Sequence, residues 1–413
     1  MSFQQGLSGL NAASKTLEAI GNNVANSNTV GFKSSQAQFA DVFASSIAGG
    51  GGGSVQVGIG VKVSQVAQAF SQGNVTASNN PLDLAINGNG FFRVSNNGTV
   101  AYSRNGQFSL DKSGYIVNAN GARLTGYTAN VNGVLSTGAP ADLNLATSDL
   151  APLQTSKINA VLNLDSNKPA IPATSTFSMS DPTTYTNATS VSVFDSLGVA
   201  HVLQTFYVKT APPAGSTNGT WDVYAAADDV ALTPSKIGTL SFGPDGAVIA
   251  GAPLTATIPV TSGASTPLVV KVDYTGTTQY GAAFSVNSLK QDGFTAGRLS
   301  GFNIGADGII TGRYTNGKSS VLGQVVLASF TDVNGLQPLG NNVWAATSAS
   351  GPALVSTPNS GSLGVLQSSA VEDSNVDLTA ELVNMITAQR VYQANAQTIK
   401  TQDQILQTLV NLR

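Results

Sequence analysis

The chain of 413 residues has no cysteine, one histidine and few charges. Without cysteine there are no thiolate nucleophiles, cysteine zinc sites, iron–sulfur clusters or disulfides. With His201 as the single histidine, paired-histidine metal sites of the HExxH type are excluded as well. Charged residues make up 10% of the chain, against roughly a quarter in a typical soluble domain. The 19 Lys and Arg against 22 Asp and Glu leave a net charge of −3 and form no basic run. Nucleic-acid binding is therefore not expected, because neutralising phosphates needs clustered cations. No apolar run approaches the ~18–20 residues of a membrane span, so no membrane insertion is expected. The opening MSFQQGLSGLNAASK lacks a basic n-region and a continuous apolar h-region, so no cleaved signal peptide is expected.

What the chain does hold is arranged in three parts. At roughly 150 residues per domain the length implies two to four domains. Near the start, Phe3, Leu7, Leu10, Leu17 and Val24 follow alternating steps of four and three, with Ser14 and Gly21 in two seam positions. That is the stripe of an amphipathic helix with heptad spacing, and Ser2 with Gln5 fits a capping box. The C-terminal end repeats the pattern through Leu378, Leu382, Met385, Gln389, Tyr392, Ala396 and Ile399, with a shifted continuation at Ile405, Leu409 and Leu412. Ser374 to Asp377 reads as its N-cap. These stripes are narrow and carry small or polar seam residues. They fit either an ordinary intramolecular coiled coil or helices completed by neighbouring copies of the chain.

Between the ends the pattern is β. Nine Asn-Gly and three Asp-Gly pairs punctuate it, and such pairs are the strongest short hairpin signals because both residues tolerate positive φ. Apolar or alternating runs lie between them: Gly90 to Val94, Val191 to Phe194, Leu203 to Val208, Leu268 to Val272 and Val325 to Phe330. An apolar strand, a glycine turn and a second apolar strand recur around Phe108/Gly114/Ile116, Phe242/Gly246/Ile249 and Phe302/Gly308/Ile310. The irregular spacing argues for repeated hairpins rather than a solenoid. Gly49 to Gly53 reads as a flexible linker, and residues 165–190, rich in Pro, Ser and Thr, read as a surface connection. The expected fold class is multidomain α + β. Terminal coiled-coil-like helices form one helical domain, and mainly antiparallel β domains, barrel- or sandwich-like, are nested between them.

No residue set for chemistry emerges. Asp195, Ser196 and His201 invite a triad reading, but neighbours on one turn cannot form the relay, and Asp195-Ser196-Leu197-Gly198 reads better as a turn. Gly58-Ile59-Gly60 and Gly88-Asn89-Gly90 lack the third glycine and the helix of a dinucleotide loop. The aspartates do not follow calcium-loop spacing, and the carboxylates show no pairing suited to acid–base work. No catalytic residue, cofactor or metal is expected, and the chain does not read as an enzyme.

The ends resemble a known family. Asn22-Asn23-Val24-Ala25-Asn26 followed by Thr29-Val30-Gly31-Phe32-Lys33 resembles the N-terminal signature of the bacterial flagellar axial proteins, namely the rod, hook and hook-junction proteins. Ser374 to Leu378, Glu381 to Ile386 and Gln389 to Ala396 resemble the C-terminal signature. The inner motifs Gly90-Phe91-Phe92, Tyr102 to Phe108, Leu124 to Tyr127, Phe194 to Gly198, Leu322 to Val325 and Asn342-Val343-Trp344 are similar to the flagellar hook proteins of that family. The resemblance implies a structural subunit that polymerises helically with copies of itself into a curved, hollow tube. That tube would act as a universal joint, transmitting motor torque from rod to filament. It implies an extracellular place in the flagellum, export by the flagellar type III apparatus, and contacts with the rod, hook-cap and hook–filament junction proteins. It marks Asn23, Asn26, Thr29, Gly31, Phe32 and Lys33 as family motif residues. Phe39 and Phe43 resemble a short export motif, or else form an i,i+4 aromatic pair on a helix. Phe3, Leu7, Leu10, Leu17, Val24, Leu378, Leu382, Met385, Tyr392, Ile399 and Leu409 are then the expected assembly residues.

The expected organisation is nested. Residues 1–30 and 372–413 would form the helical inner domain, and 31–70 a connector with the glycine-rich linker. Residues 71–146 and 295–371 would form an inner β domain, with an outer β domain, 147–294, inserted in it. A distal rod protein shares the end motifs but is shorter, and a secreted β-rich adhesin would explain the polar surface but not two heptad ends.

Overall fold

The structure, a computed structural model, describes residues 2–42, 58–130, 133–145, 149–212 and 218–411. The chain divides into two compact units: Met1–Thr147 with Gly301–Arg313 and Ser319–Arg413, and Ser148–Ser300 with Tyr314–Lys318. The glycine run Gly49 to Gly53 and Phe43 lie outside the described residues, as does the side chain of Leu409.

Two helices bracket the first unit: α1, Ser2–Ala25, and α2, Leu378–Asn411. Asp377 caps α2, its Oδ1 accepting the N–H groups of Thr379 and Ala380 at 2.9 and 3.1 Å. Gln5 donates its side-chain amide to the Gly58 carbonyl at 2.6 Å, tying α1 to the segment that follows. That segment is a strand pair, β1 (Ser35–Val42) and β2 (Gly60–Gln68), antiparallel from Ser35 opposite Gln68 to Val42 opposite Gly60. Phe39 is therefore a strand residue opposite Val63, not half of a helical aromatic pair. The sequence SQAQFADV offers only four apolar side chains, two of them alanines, and it forms a strand because β2 supplies the ladder.

The nesting follows from strand pairing between early and late chain. Val75–Ala77 pairs antiparallel with Ala370–Glu372, and Leu84–Asn87 with Val365–Ser368. In the main sheet of this unit, Phe91–Asn96 pairs with Thr99–Ser103 across Asn97-Gly98, whose φ values of 49° and 87° are those of a tight hairpin turn. Phe91 and Phe92 point to opposite faces, as period-2 alternation requires. Phe92 joins Leu84, Ile86, Phe108, Leu124 and Val325 in one core, and Phe91 joins Tyr102, Phe330 and Trp344 in another. Phe70 closes the second core edge-on to Phe91 and Trp344, each at 5.5 Å, and the Trp344 indole N–H donates to Gln68 at 2.7 Å. Val325 to Phe330 is not one run: it splits into Ser319–Val325 and Leu327–Ser329.

The second unit is a β-sandwich. Its five-stranded sheet runs Asn187–Phe194, Ala200–Thr210, Gly219–Ala227, Val230–Phe242 and Val248–Ala250, each antiparallel to the next. A four-stranded sheet orders Leu254–Ile258, Leu268–Asp273, Lys157–Asn163 and Ser285–Gln291. Leu254, Ala256 and Ile258 alternate with exposed Thr255 and Thr257, so one face meets the core and the other faces solvent. Both sheets contribute to one core around Tyr207, Trp221, Leu240, Phe242, Val270 and Tyr274. The Pro/Ser/Thr-rich segment is more ordered than a bare connection, since Phe177 stacks on Tyr224 at 4.3 Å and leans on Phe206 at 5.3 Å.

Candidate assembly site

The two terminal helices pack antiparallel, with small residues at their closest approach. A Cβ added to Gly6 would sit 3.1 Å from Cγ1 of Ile399, and one on Gly9 would sit 2.8 Å from the Asn395 side chain. Further along, Asn23 donates to Glu381 at 3.2 Å. The buried positions of α1 are Gly6, Ala13, Ile20 and Asn23, and Ala388 is the buried one on α2. This face is turned one residue from the apolar stripe. As a result the stripe is not spent within the chain. Phe3 and Leu7 on α1, and Leu378, Leu382 and Tyr392 on α2, are exposed, while Leu10, Leu17, Val24, Met385 and Ile399 are half-buried. Val383, Ile386, Val391, Ile405, Leu406 and Val410 add to the exposed apolar surface of α2. Continuing the helix register brings Ser2 level with Gln402. The last nine or so residues of α2, about 13 Å at 1.5 Å per residue, therefore extend past the end of α1.

A buried ionic junction lies where both chain ends meet the β layer. Lys33 and Glu372 are wholly buried and 2.6 Å apart. Lys33 also donates to the Ser71 carbonyl at 2.7 Å, and Glu372 Oε1 accepts the Gly73 N–H at 3.0 Å. Arg104 places Nη1 3.3 Å from Glu372 Oε2 and donates from Nη2 to the Gly88 carbonyl at 2.8 Å. Its guanidinium lies 5.6 Å from the centre of the Phe91 ring. Arg104 Nε and Nη1 and Glu372 Oε2 have no hydrogen-bond partner, so the second arm of the cluster is a charge contact only. Burial pushes the Lys33 ammonium below its usual pKa, and the facing Glu372 carboxylate resists that shift. Burial likewise lowers Arg104, again opposed by Glu372.

Asparagines clasp the chain around this junction. Asn23 accepts from Ser35 N–H at 2.8 Å and donates to the Ser35 carbonyl at 2.9 Å, fixing the exit from α1. Asn26 and Thr29 form the turn that ends α1, the Thr29 N–H donating to the Asn26 carbonyl at 3.0 Å. Asn375 accepts from the Ser34 N–H at 2.8 Å and donates to the Ala69 carbonyl at 2.7 Å. Asn342 donates to the Val30 carbonyl at 2.9 Å. Gly31 has φ 71°, its N–H donates to the Glu372 carbonyl at 2.8 Å, and a Cβ there would lie 2.5 Å from the Asn105 nitrogen. Gly31→Ala is therefore expected to cost about 1–3 kcal/mol through strain and overlap, read as a lower denaturant midpoint for the full chain. Phe32 is buried beside it. The motif residues Asn23, Asn26, Thr29, Gly31, Phe32 and Lys33 thus gather at one junction.

Known proteins carry the same parts in the same order. Family models match at residues 3–33 (flagella basal body rod protein), 85–166 (flagellar hook protein FlgE/F/G D1 domain), 163–294 (flagellar basal body protein FlaE D2 domain) and 367–412 (flagellar basal body rod FlgEFG protein, C-terminal). The chain is 44% identical over 419 residues to the flagellar hook protein FlgE of Salmonella typhimurium, covering 100% of both chains. It is 43% identical to that of Escherichia coli K12, again over 100% of both, and 31% to that of Borreliella burgdorferi, over 100% of this chain and 99% of the other. The chain belongs to the flagellar hook protein FlgE family. A crystal structure of Helicobacter pylori flagellar hook protein FlgE2 aligns with a TM-score of 0.52 at 14% identity, over 72% of this chain and 99% of that one, and shares the fold. The hook relationship makes the chain a structural subunit of the flagellar hook.

Phe39 lies half in solvent on β1. Asp195 to Gly198 form the turn between two strands, with the Gly198 N–H donating to the Asp195 carbonyl at 3.0 Å and Gly198 at φ 80°. The Ser196 hydroxyl accepts from the Ser265 N–H at 2.9 Å, away from His201. Among the described residues no group of His, Asp and Glu side chains could hold a metal ion, and no helix is long and apolar enough to cross a membrane. Sequence reasoning did not single out Arg104, Asn342 and Glu372 as parts of the junction. Glu372 and Arg104 are separated by most of the chain, and only the fold brings them together.

Proposed function

We propose that this hook-family subunit polymerises with copies of itself into a curved, hollow tube that joins rod to filament and passes torque between them. The observation that carries the proposal is the exposed apolar stripe on α1 and α2, left over after the two helices have packed on each other mainly through small and polar residues. Monomeric proteins rarely leave such a contiguous patch uncovered. Copies of the chain cover it by presenting the same helices, and an open heterologous contact of this kind grows into a tube rather than a closed ring. Phe3, Leu7, Leu10, Leu17, Val24, Leu378, Leu382, Met385, Tyr392, Ile399 and Leu409 are the proposed assembly residues. Residues 1–30 and 372–413 line the inner wall, 31–70 connect, 71–146 with 295–371 form the middle layer, and 147–294 the outer layer. With 10% charged residues, outer contacts between copies hold few desolvated ion pairs and can slip as the bent tube turns.

In this reading the role is mechanical, not catalytic. The subunit leaves the cell through the flagellar type III export apparatus without a cleaved signal, Phe39 and Phe43 serving as the export motif. It meets the rod, hook-cap and hook–filament junction proteins at the ends of the tube. Electron microscopy of purified protein under polymerising conditions tests the proposal. Curved tubes are expected. Straight tubes would favour a rod role, and no tubes an adhesin. The terminal helices are also expected to order on assembly, because an exposed stripe is poorly supported in the monomer. Limited proteolysis should then clip both ends of the monomer and spare them in the tube. Equal protection in both states would refute this.

A further inference from the structure

His201 lies buried at the start of the strand Ala200–Thr210 and faces two carboxylates. Its Nδ1 is 2.6 Å from Oδ2 of Asp228, in the turn that links Gly219–Ala227 to Val230–Phe242. Its Nε2 is 3.4 Å from Oδ2 of Asp195, in the preceding turn. Asp195 is itself wholly buried. Its Oδ1 accepts the N–H groups of Leu197 and Val199 at 2.9 and 2.8 Å, and its Oδ2 accepts the Ser262 hydroxyl. Ser262 follows the strand Leu254–Ile258 of the four-stranded sheet, so the chain of contacts joins two turns of one sheet to a loop of the other. Asp228 Oδ1 accepts the Val202 N–H at 2.8 Å, which leaves its Oδ2 to the histidine. The neighbouring Asp229 is engaged by the Gln204 amide at 2.9 Å. Among the described residues no Lys or Arg forms an ion pair with Asp195 or Asp228.

We propose that this end of the second unit is a proton-operated clasp, in which protonated His201 ties the two turns and the second sheet together and its deprotonation frees one turn. The reason is a count of donors. A neutral imidazole has one N–H and one lone pair, so between two carboxylates it can donate to one and must turn a lone pair on the other. Only the imidazolium donates to both, with charge-assisted bonds. The turn it holds is a two-residue hairpin loop with Asp228 and Asp229 at φ 49° and 60°, and the Asp228 carboxylate is what ties that loop to the neighbouring strand. Removing the histidine bond therefore loosens the turn.

The direction of the pH response follows. Burial disfavours the charged ring, but the bonds and charges of Asp228 and Asp195 outweigh it, so His201 titrates above its ordinary pKa. Its stabilisation is complete below the ordinary histidine value and is lost as pH rises through the folded value. Both aspartates are held below their ordinary pKa, against burial, by their hydrogen bonds. Their contribution is present above the ordinary aspartate value and is lost as pH falls through the folded values. The clasp is therefore tightest between about pH 4 and 6.5, the ordinary values of the two groups.

Because the chain has one histidine, proton NMR of the full chain reads its ring without assignment. The expected titration midpoint lies above that of free histidine, and Asp228→Asn should lower it. Thermal unfolding of the second unit should fall as pH rises from about 6 to about 9, and most of that fall should vanish in His201→Gln. A wild-type midpoint at or below the free value overturns the proposal. So does a melting profile that falls equally in His201→Gln. If His201→Gln does not fold, the midpoints of wild type and Asp228→Asn decide.

Discussion

Leu382→Asp combined with Ile386→Asp is expected to leave the isolated chain folded and to abolish tube formation. The two side chains are one helical turn apart on α2 and are 45% and 52% exposed. In the monomer the exchange replaces solvated apolar groups with solvated carboxylates. The cost is the weaker helix propensity of aspartate, roughly half a kcal/mol per site, within the usual range for surface changes. In the proposed tube the same positions are covered in every copy. Each buried carboxylate without a partner then costs several kcal/mol, and the cost recurs at every subunit added, so the concentration needed for assembly rises by several orders of magnitude. Circular dichroism and thermal unfolding of the monomer should match wild type, while electron microscopy and sedimentation should show no polymer. Leu382→Met with Ile386→Leu, which conserves volume and apolarity, should assemble. Normal tubes from the aspartate variant would remove the α2 stripe from the interface.

The same helices show how far the sequence could be read. Heptad spacing located both, and Asn-Gly or Asp-Gly pairs located hairpins such as Asn97-Gly98 and the Gly246 and Gly308 turns, because local backbone chemistry sets them. The stripe did not reveal which helix face lies inside the chain. Gly6, Gly9, Ala13, Asn23 and Asn395 make most of the inner seam, and Ile20 is its one large apolar residue on α1, too little to register as a stripe in a periodicity count. Close approach of the two backbones, not side-chain hydrophobicity, selects that face. The strand Ser35–Val42 was hidden for a related reason, since its pairing with Gly60–Gln68 is long-range and its own alternation is weak. The flanking motifs marked Lys33 and Asn23 through family resemblance alone. Nothing in their neighbourhood announces that a carboxylate 339 positions away completes the site.

That carboxylate is where the largest loss of stability is expected. Glu372→Ala strips the junction of its one anion and leaves Lys33 and Arg104 buried together. Removing one partner of a buried ionic set costs about 3–5 kcal/mol, which lowers the melting temperature of the first unit by on the order of 10 °C. Calorimetry of the full chain should show that transition shifted and the transition of the β-sandwich unit in place. An unshifted transition would mean that water reaches the cluster. Lys33→Met, Arg104→Met and Glu372→Leu together pose a sharper question. Replacing a whole buried ionic set with apolar groups is often neutral or stabilising, so the triple variant should regain most of the lost stability. It should not regain assembly. Lys33 holds the Ser71 carbonyl, Glu372 holds the Gly73 N–H, and the Glu372 backbone meets Gly31, so the charges fix where both chain ends leave the β layer. Apolar substitutes fill the space without fixing direction, and a tube repeats any error in helix direction at every subunit. A triple variant that is stable yet forms no regular tubes would assign the cluster to orientation. One that forms normal tubes would show that packing around Phe32 and the asparagine clasps alone sets the angle.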